Sequence, residues 1–154
     1  MAAALLQLAA AVAEHPGHAV LLNAYGNTLR QGEHFDDAIA VLEQAIAAAP
    51  TYAEAHNNLG LAYAVRNRLE PAAEHLRRAA RLRPDMAVIS KNLGALLVRM
   101  FLFPEAVSVL SNVVARDPNY DEAVANLGVA ISPHSLRGRC PRADPGGPGN
   151  QPRL

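Results

Sequence analysis

The fold is decided by residues 50–84, PTYAEAHNNLGLAYAVRNRLEPAAEHLRRAARLRP. This stretch begins and ends on a proline, and prolines recur at the same interval of 34 residues: Pro16, Pro50, Pro84 and Pro118. Glycines keep that interval as well: Gly26, Gly60, Gly94 and Gly128. Two residue types that recur in one phase predict an array of structural repeats, an architecture that usually serves binding.

Each repeat is predicted to be a pair of short helices. Apolar residues recur at helical spacing in two runs, which in the second unit contain Leu59, Gly60 and Tyr63, then Leu69, Ala72 and Leu76. A polar turn separates the runs, so we predict an antiparallel hairpin of helix A and helix B. Glycine inside a helix costs about 0.5–1 kcal/mol relative to alanine, so the repeat glycines predict close helix crossings that offset this cost.

The ends of the helices are marked by prolines and by capping residues. A proline ends each helix B, because it cannot continue the helix. We expect Thr51, Asp85 and Asn119 to cap the helix A that follows. Pro71 and Pro104 fall in the first turn of helix B, where the missing N–H costs little.

Composition limits the classes of partner. Residues 1–132 hold 10 basic and 13 acidic residues, and residues 133–154 hold 4 and 1, so neither part has the basic density of a nucleic-acid binder.

Cys140 is the single cysteine, which excludes a disulfide framework and favours a reducing compartment. No apolar run could cross a bilayer, so we expect a cytoplasmic protein with neither nucleic acid nor membrane as partner. Residues 2–13 also resemble the apolar part of a signal peptide, and that interpretation stays open.

The repeat resembles that of the tetratricopeptide repeat family. The family pattern of Leu-Gly-x2-Tyr, then Ala-x3-Phe, then Pro is matched by Leu59-Gly60-x2-Tyr63, Ala72-x3-Leu76 and Pro84. Its tryptophan is replaced, unit by unit, by Leu22, His56, Ser90 and Val124. The resemblance covers about residues 2–131, and it implies an all-α, right-handed α-solenoid of helix-turn-helix repeats.

The period also predicts the organisation of the chain. The predicted units are a partial repeat at 1–18, full repeats at 19–52, 53–86 and 87–120, and a partial repeat at 121–132. The first unit contains only a helix B, and the last only a helix A. Residues 133–154 contain 5 Pro, 4 Gly and 4 Arg without apolar periodicity, so we predict a disordered tail. A fragment of a longer protein and a frameshifted product are alternative explanations of these ends.

The resemblance implies that the A helices line a concave groove, in which asparagines recur. Asn58, Asn92 and Asn126 each stand two residues before the repeat glycine, so we expect a ladder of amides. An amide can pair with a peptide backbone regardless of sequence, and the ladder resembles that of the repeat domain of O-linked N-acetylglucosamine transferase. The alternative is that these amides serve local hydrogen bonds. The other candidate peptide-binding residues are Asn23, Asn27, Asn57, Lys91, Arg30 and Arg99.

Another subfamily holds the acidic tails of heat-shock chaperones in a carboxylate clamp. Asn27 and Asn58 match two clamp positions, but the basic positions are Asn23, Val88 and Asn92. Without those cations a terminal carboxylate loses its main attraction, so we predict that such tails do not bind.

The sequence shows no nucleophile with its base, no phosphate loop and no close metal-ligand spacing. We therefore expect no enzymatic activity, no metal and no cofactor. The predicted function is that of a scaffold or adaptor that binds a protein or an extended peptide. One alternative is the substrate-recruiting arm of a glycosyltransferase-like transferase. Another is self-association through the uncapped ends, with repeats stacked head to tail.

Overall fold

The computed structural model describes residues 2–132, and all the regular structure in that range is helical. The helices are α1 (Ala2–Glu14), α2 (Ala19–Gln31), α3 (Phe35–Ala48), α4 (Ala53–Val65), α5 (Leu69–Leu82), α6 (Ala87–Arg99), α7 (Phe103–Arg116) and α8 (Asp121–Ile131). The prediction of an all-α fold is therefore confirmed. The predicted tail and Cys140 lie outside the described residues.

The helices form two layers. Helices α2, α4, α6 and α8 make the A layer, and helices α1, α3, α5 and α7 make the B layer. Each helix packs mainly on its neighbours in the chain, and successive A helices also contact one another more than successive B helices do. The A layer therefore lies on the inner side of the stack. None of the helices within residues 2–132 is long and apolar enough to cross a membrane.

The core depends on leucines of the B helices that lie against the repeat glycines. Leu42, Leu76 and Leu110 are completely buried. A Cβ atom added to Gly26 would lie 2.6 Å from Leu42 Cγ, and one added to Gly60 would lie 2.7 Å from Leu76 Cγ. Real Cβ atoms do not approach so closely, so only glycine permits this spacing of helix A and helix B. The close crossings expected from the sequence are present.

Helices α4, α6 and α8 each begin one residue later than the sequence suggested. Tyr52 N donates to Ala49 O over 3.0 Å, which closes a turn with Pro50 and Thr51 at its centre. The N-caps of α4, α6 and α8 are therefore Tyr52, Met86 and Tyr120, and their side chains make no capping hydrogen bond.

The prediction that Thr51, Asp85 and Asn119 are the N-caps is wrong, because these residues occupy the turn itself. Asp85 pairs instead with Arg83, whose Nη2 lies 2.8 Å from its Oδ2. Only α2 has a side-chain cap among the helices from α2 to α8: Leu21 N donates to His18 Nδ1 over 3.4 Å.

One ion pair ties successive B helices together. Arg77 of α5 donates from Nε and Nη2 to the two carboxylate oxygens of Glu105 at the start of α7, each over 2.7 Å. This pairing holds the pKa of Glu105 below its usual range and raises the pKa of Arg77. A second pair, Arg66 Nε with Asp36 Oδ1 at 3.1 Å, joins α3 to the end of α4.

Candidate peptide-binding groove

The inner face of the A layer mixes amides with exposed valines. Asn23, Asn58 and Asn92 are half-buried on α2, α4 and α6. On the same stripes of these helices, Val20, Val65 and Val88 are 55%, 54% and 41% exposed. The groove therefore offers hydrogen-bonding groups and apolar contact area side by side, which suit the backbone and the side chains of an extended peptide.

The amides of the groove are joined in one chain of hydrogen bonds. Asn92 Nδ2 donates to Asn57 Oδ1 over 3.0 Å, and Asn58 Nδ2 donates to Asn23 Oδ1 over 2.9 Å. A longer contact of 3.5 Å runs from Asn57 Nδ2 to Asn58 Oδ1. Asn23 Nδ2 donates to the Tyr52 hydroxyl over 3.3 Å, which ends the chain. Three A helices are thus connected through their groove side chains.

This arrangement differs from the expected ladder in its register. The inter-helix bonds join residues 35 apart, so an asparagine of one repeat meets the residue before its counterpart in the preceding repeat. This chain of hydrogen bonds stops before α8. The residue 35 positions before Asn126 is Lys91, and its side chain has no acceptor. Lys91 instead donates from Nζ to Glu122 Oε2 over 2.6 Å.

Two hollows lie next to each other in the groove. One has a volume of about 340 Å³ and is lined by Lys91, Asn92, Ala95, Glu122, Ala125 and Asn126. The other has a volume of about 190 Å³ and is lined by Leu61, Ala64, Leu76, Asn92, Ala95, Leu96 and Arg99. Both contain Asn92 and Ala95, so the Asn92 amide stands between two places where a ligand side chain could rest.

Two predicted groove cations are already bonded to neighbouring groups of the protein. Arg99 donates to Ala64 O over 2.8 Å and to Asn67 Oδ1 over 2.7 Å, which ties the end of α6 to the end of α4. Arg30 donates from Nη2 to Asn27 Oδ1 over 2.8 Å. Its buried Nε has no hydrogen-bond partner within residues 2–132, and burial lowers the pKa of Arg30. Asn27, Arg30 and Arg99 therefore stand apart from the amide chain.

Two further residues take part in the groove beside the candidate peptide-binding residues named from the sequence. The Tyr52 hydroxyl ends the amide chain, and the Glu122 carboxylate neutralises Lys91. Tyr52 belongs to a turn rather than to a helix A, so helical periodicity gave no reason to place it there. The sequence could place Glu122 in the groove, because it lies in the first turn of α8, on the same stripe as Asn126.

The repeat pattern is matched by a known family model. Residues 23–87 match the tetratricopeptide repeat model. Residues 23–87 therefore contain tetratricopeptide repeats. No curated protein matches the sequence, and residues 2–132 contain no group of three His, Cys, Asp or Glu side chains that could hold a metal ion.

Solved structures of tetratricopeptide repeat proteins are similar to the chain. MamA is 23% identical with a TM-score of 0.78, over 86% of this chain and 78% of that one. A thermophilic protein of Thermus thermophilus is 22% identical with a TM-score of 0.68, over 82% and 71% of the two chains. At this identity the likeness shows the tetratricopeptide repeat fold.

A third similar structure belongs to an enzyme. A mutant of the O-GlcNAc transferase of Thermobaculum terrenum is 26% identical with a TM-score of 0.67. The match covers 73% of this chain but only 22% of the transferase. It therefore compares the tetratricopeptide repeats with a small part of that protein.

Proposed function

We propose that the chain is a scaffold or adaptor that binds an extended peptide along the groove of the A layer. The observation that carries this proposal is the chain of amides from Asn92 through Asn57 and Asn58 to Asn23. It runs across three helices, in the direction that a bound peptide would follow.

The amide chain suits backbone recognition. Each inter-helix hydrogen bond uses one N–H of an amide that has two, and each amide oxygen has two lone pairs. A peptide backbone alternates donors with acceptors, so the remaining amide groups can bind it regardless of its side chains. Because the amides already hold one another in place, less side-chain freedom is lost on binding. The exposed valines and the two hollows then provide contacts for apolar side chains.

Solved relatives support a peptide-binding role for this fold. The first repeat domain of Spaghetti (RPAP3), 22% identical to this chain with a TM-score of 0.69, was solved bound to the HSP90 peptide SRMEEVD. The second repeat domain of human RPAP3 was solved with an HSP70 peptide. We propose that the present chain uses the corresponding groove for a different kind of peptide, one that does not depend on a cationic clamp.

Replacing groove asparagines tests the proposal. A peptide is first selected from a random displayed library, and its affinity is measured by fluorescence anisotropy. We expect Asn126→Ala to raise the Kd by about 3- to 10-fold, the usual worth of one hydrogen bond. Asn126 makes no hydrogen bond to the amide chain, so this loss would report contact with the ligand.

Asn92→Ala should weaken binding further, because it removes an amide and frees its neighbour Asn57. The control is Asn112→Ala on α7 in the B layer, where the side chain is exposed. Circular dichroism checks that each variant stays folded. Unchanged affinity in both groove variants would contradict the proposal.

A second candidate function is the substrate-recruiting arm of a transferase. It is favoured by the likeness to the transferase of Thermobaculum terrenum. The part of the transferase that matches is 22% of its chain. A transcript that continues the reading frame into a catalytic domain would support this candidate.

We also propose a cytoplasmic location, which imaging of the tagged chain in its own cell would test.

A further inference from the structure

The last described helix has an apolar face that no other described element covers. Val124 and Ile131 of α8 are 42% and 51% exposed, whereas Leu97, the counterpart of Ile131 one repeat earlier, is completely buried. A Cβ atom added to Gly128 would have no atom within 4 Å. In each of the three preceding repeats this face lies under the leucine of a helix B.

The first helix has the complementary face. Helix α1 stands in the phase of a helix B, and it packs on α2 through Leu5 and Val12. Its Leu8 occupies the repeat position of Leu42, Leu76 and Leu110, which are completely buried, but Leu8 itself is only half-buried. Ala4 is exposed, although its counterpart Ala38 is also completely buried. The side of α1 on which a helix A would pack is therefore open.

We propose that copies of this chain stack head to tail, with α1 of one copy packed on α8 of the next in the position that a helix B holds in the other repeats. In this arrangement Leu8 lies on Gly128, as Leu110 lies on Gly94 within the chain. The contact repeats an interface that the chain already forms three times. Along the solenoid, each copy is displaced from the previous copy by four repeat lengths. The repeats of the two copies therefore continue in the same register.

The sequence after α8 does not carry the residue pattern of a helix B. In the repeat phase, the position of the core leucine is occupied by Asp144, and Pro141, Pro145 and Pro148 fall where the helix would run. Proline inside a helix removes a hydrogen bond and clashes with the preceding turn. A second copy supplies Leu8 and Ala4 in the required positions.

Stacking leaves the groove free. The face proposed for stacking carries Val124, Gly128 and Ile131, whereas the groove side of α8 carries Glu122 and Asn126. The contact joins two different surfaces, so it does not close into a symmetric dimer. Each added copy presents a new open end, and the product is a series of oligomers rather than one species.

Sedimentation of the full chain from micromolar to millimolar concentration tests the proposal. The mean mass of the wild type should rise with concentration and pass that of a dimer. Gly128→Ala should weaken the association by about tenfold or more, because the added methyl group would meet Leu8 of the next copy. The same methyl group has open space in the single chain, so this variant should remain folded. The control is Gly17→Ala, in a turn with equally open space.

A second pair of variants changes the other surface. Leu8→Glu should give a monomer, because it places a charge on the apolar contact. Leu6→Glu should associate like the wild type, because Leu6 is 73% exposed at a position that faces solvent in every repeat. A wild type that is monomeric throughout, a mass that stops at the dimer, or normal association of Gly128→Ala would each overturn the proposal.

Discussion

The repeat glycines show how one residue type sets the distance between two helices. Gly26, Gly60 and Gly94 all lie under a leucine of helix B, at distances where a side chain cannot fit. Around Gly60 the neighbours include the main-chain oxygen of Ala72, which would lie 3.0 Å from an added Cβ. A main-chain atom cannot rotate away as a leucine methyl group can, so Gly60 is the least replaceable of the three.

We therefore expect Gly60→Ala to destabilise the chain. Overpacking costs about 1–3 kcal/mol, and the better helix propensity of alanine returns only about 0.5–1 kcal/mol. The measurement is the midpoint of urea unfolding at one protein concentration. Gly17→Ala is the control, because the turn around Gly17 has open space, and its effect should stay within about 0.5 kcal/mol. A Gly60→Ala variant with the wild-type midpoint would contradict the packing argument.

Single residues also show what the sequence could predict. The helix crossings were predictable, because a glycine retained inside a helix needs a packing reason. The bond between Asn58 and Asn23 was not predictable, because the contact depends on how two A helices are shifted along each other. The caps were predicted one residue early, because a favourable residue type at Thr51 does not reveal that the chain is still turning there.

At the scale of the element, the helix pair α4 and α5 is held together by two histidines. His56 replaces the family tryptophan and is 7% exposed. Its Nε2 lies 3.0 Å from Pro50 O, and its Nδ1 lies 3.0 Å from Nδ1 of His75. A carbonyl oxygen only accepts, so Nε2 of His56 carries the proton. With its proton on Nε2 alone, His56 accepts at Nδ1, and His75 donates to it.

Other groups complete this cluster. The ring of Tyr63 stacks on His75 with centroids 5.8 Å apart, and its hydroxyl donates to Glu43 over 2.6 Å. Arg68 lies over the same ring, 4.6 Å from its centroid. Burial lowers the pKa of His75, and a positive charge on His56 would lower it further, although Glu74 and Glu43 act in the opposite direction. The surroundings of His75 thus favour its neutral form.

The stability of the chain should fall as the pH falls below about 6.5. The pKa of His75 is lower in the folded chain than its ordinary value of 6.5, so the unfolded chain takes up the proton first. Stability is complete above the unfolded pKa, declines between the two pKa values, and levels off below the folded one. For one proton the slope cannot exceed about 1.4 kcal/mol per pH unit.

Urea unfolding between about pH 7 and pH 5.5 measures this slope before most carboxylates titrate. His75→Gln should flatten the slope, whereas the same change at exposed His34 should leave it as in the wild type. A slope that persists in the His75→Gln variant would show that another group is responsible.

At the scale of the whole molecule, the charges of the groove decide which peptides it can bind. Lys91 is paired with Glu122, and Arg99 is bonded to the end of α4. The three positions that carry cations in a carboxylate clamp hold Asn23, Val88 and Asn92. The two asparagines are bonded within the amide chain. An acidic peptide tail would therefore give up its hydration without meeting an available cation at these positions.

We accordingly expect the HSP90 peptide SRMEEVD, which the related domain binds, to show no measurable binding at micromolar concentration. The variant Val88→Arg adds a cation at an exposed position without removing a hydrogen bond. It should raise the affinity for this peptide, and added salt should abolish the gain, because exposed charges are screened. Val65→Arg adds the same charge at an exposed groove residue outside the clamp positions, so it should give a smaller gain. Micromolar binding by the unmodified chain would contradict this electrostatic argument and would show that amides alone can hold an acidic tail.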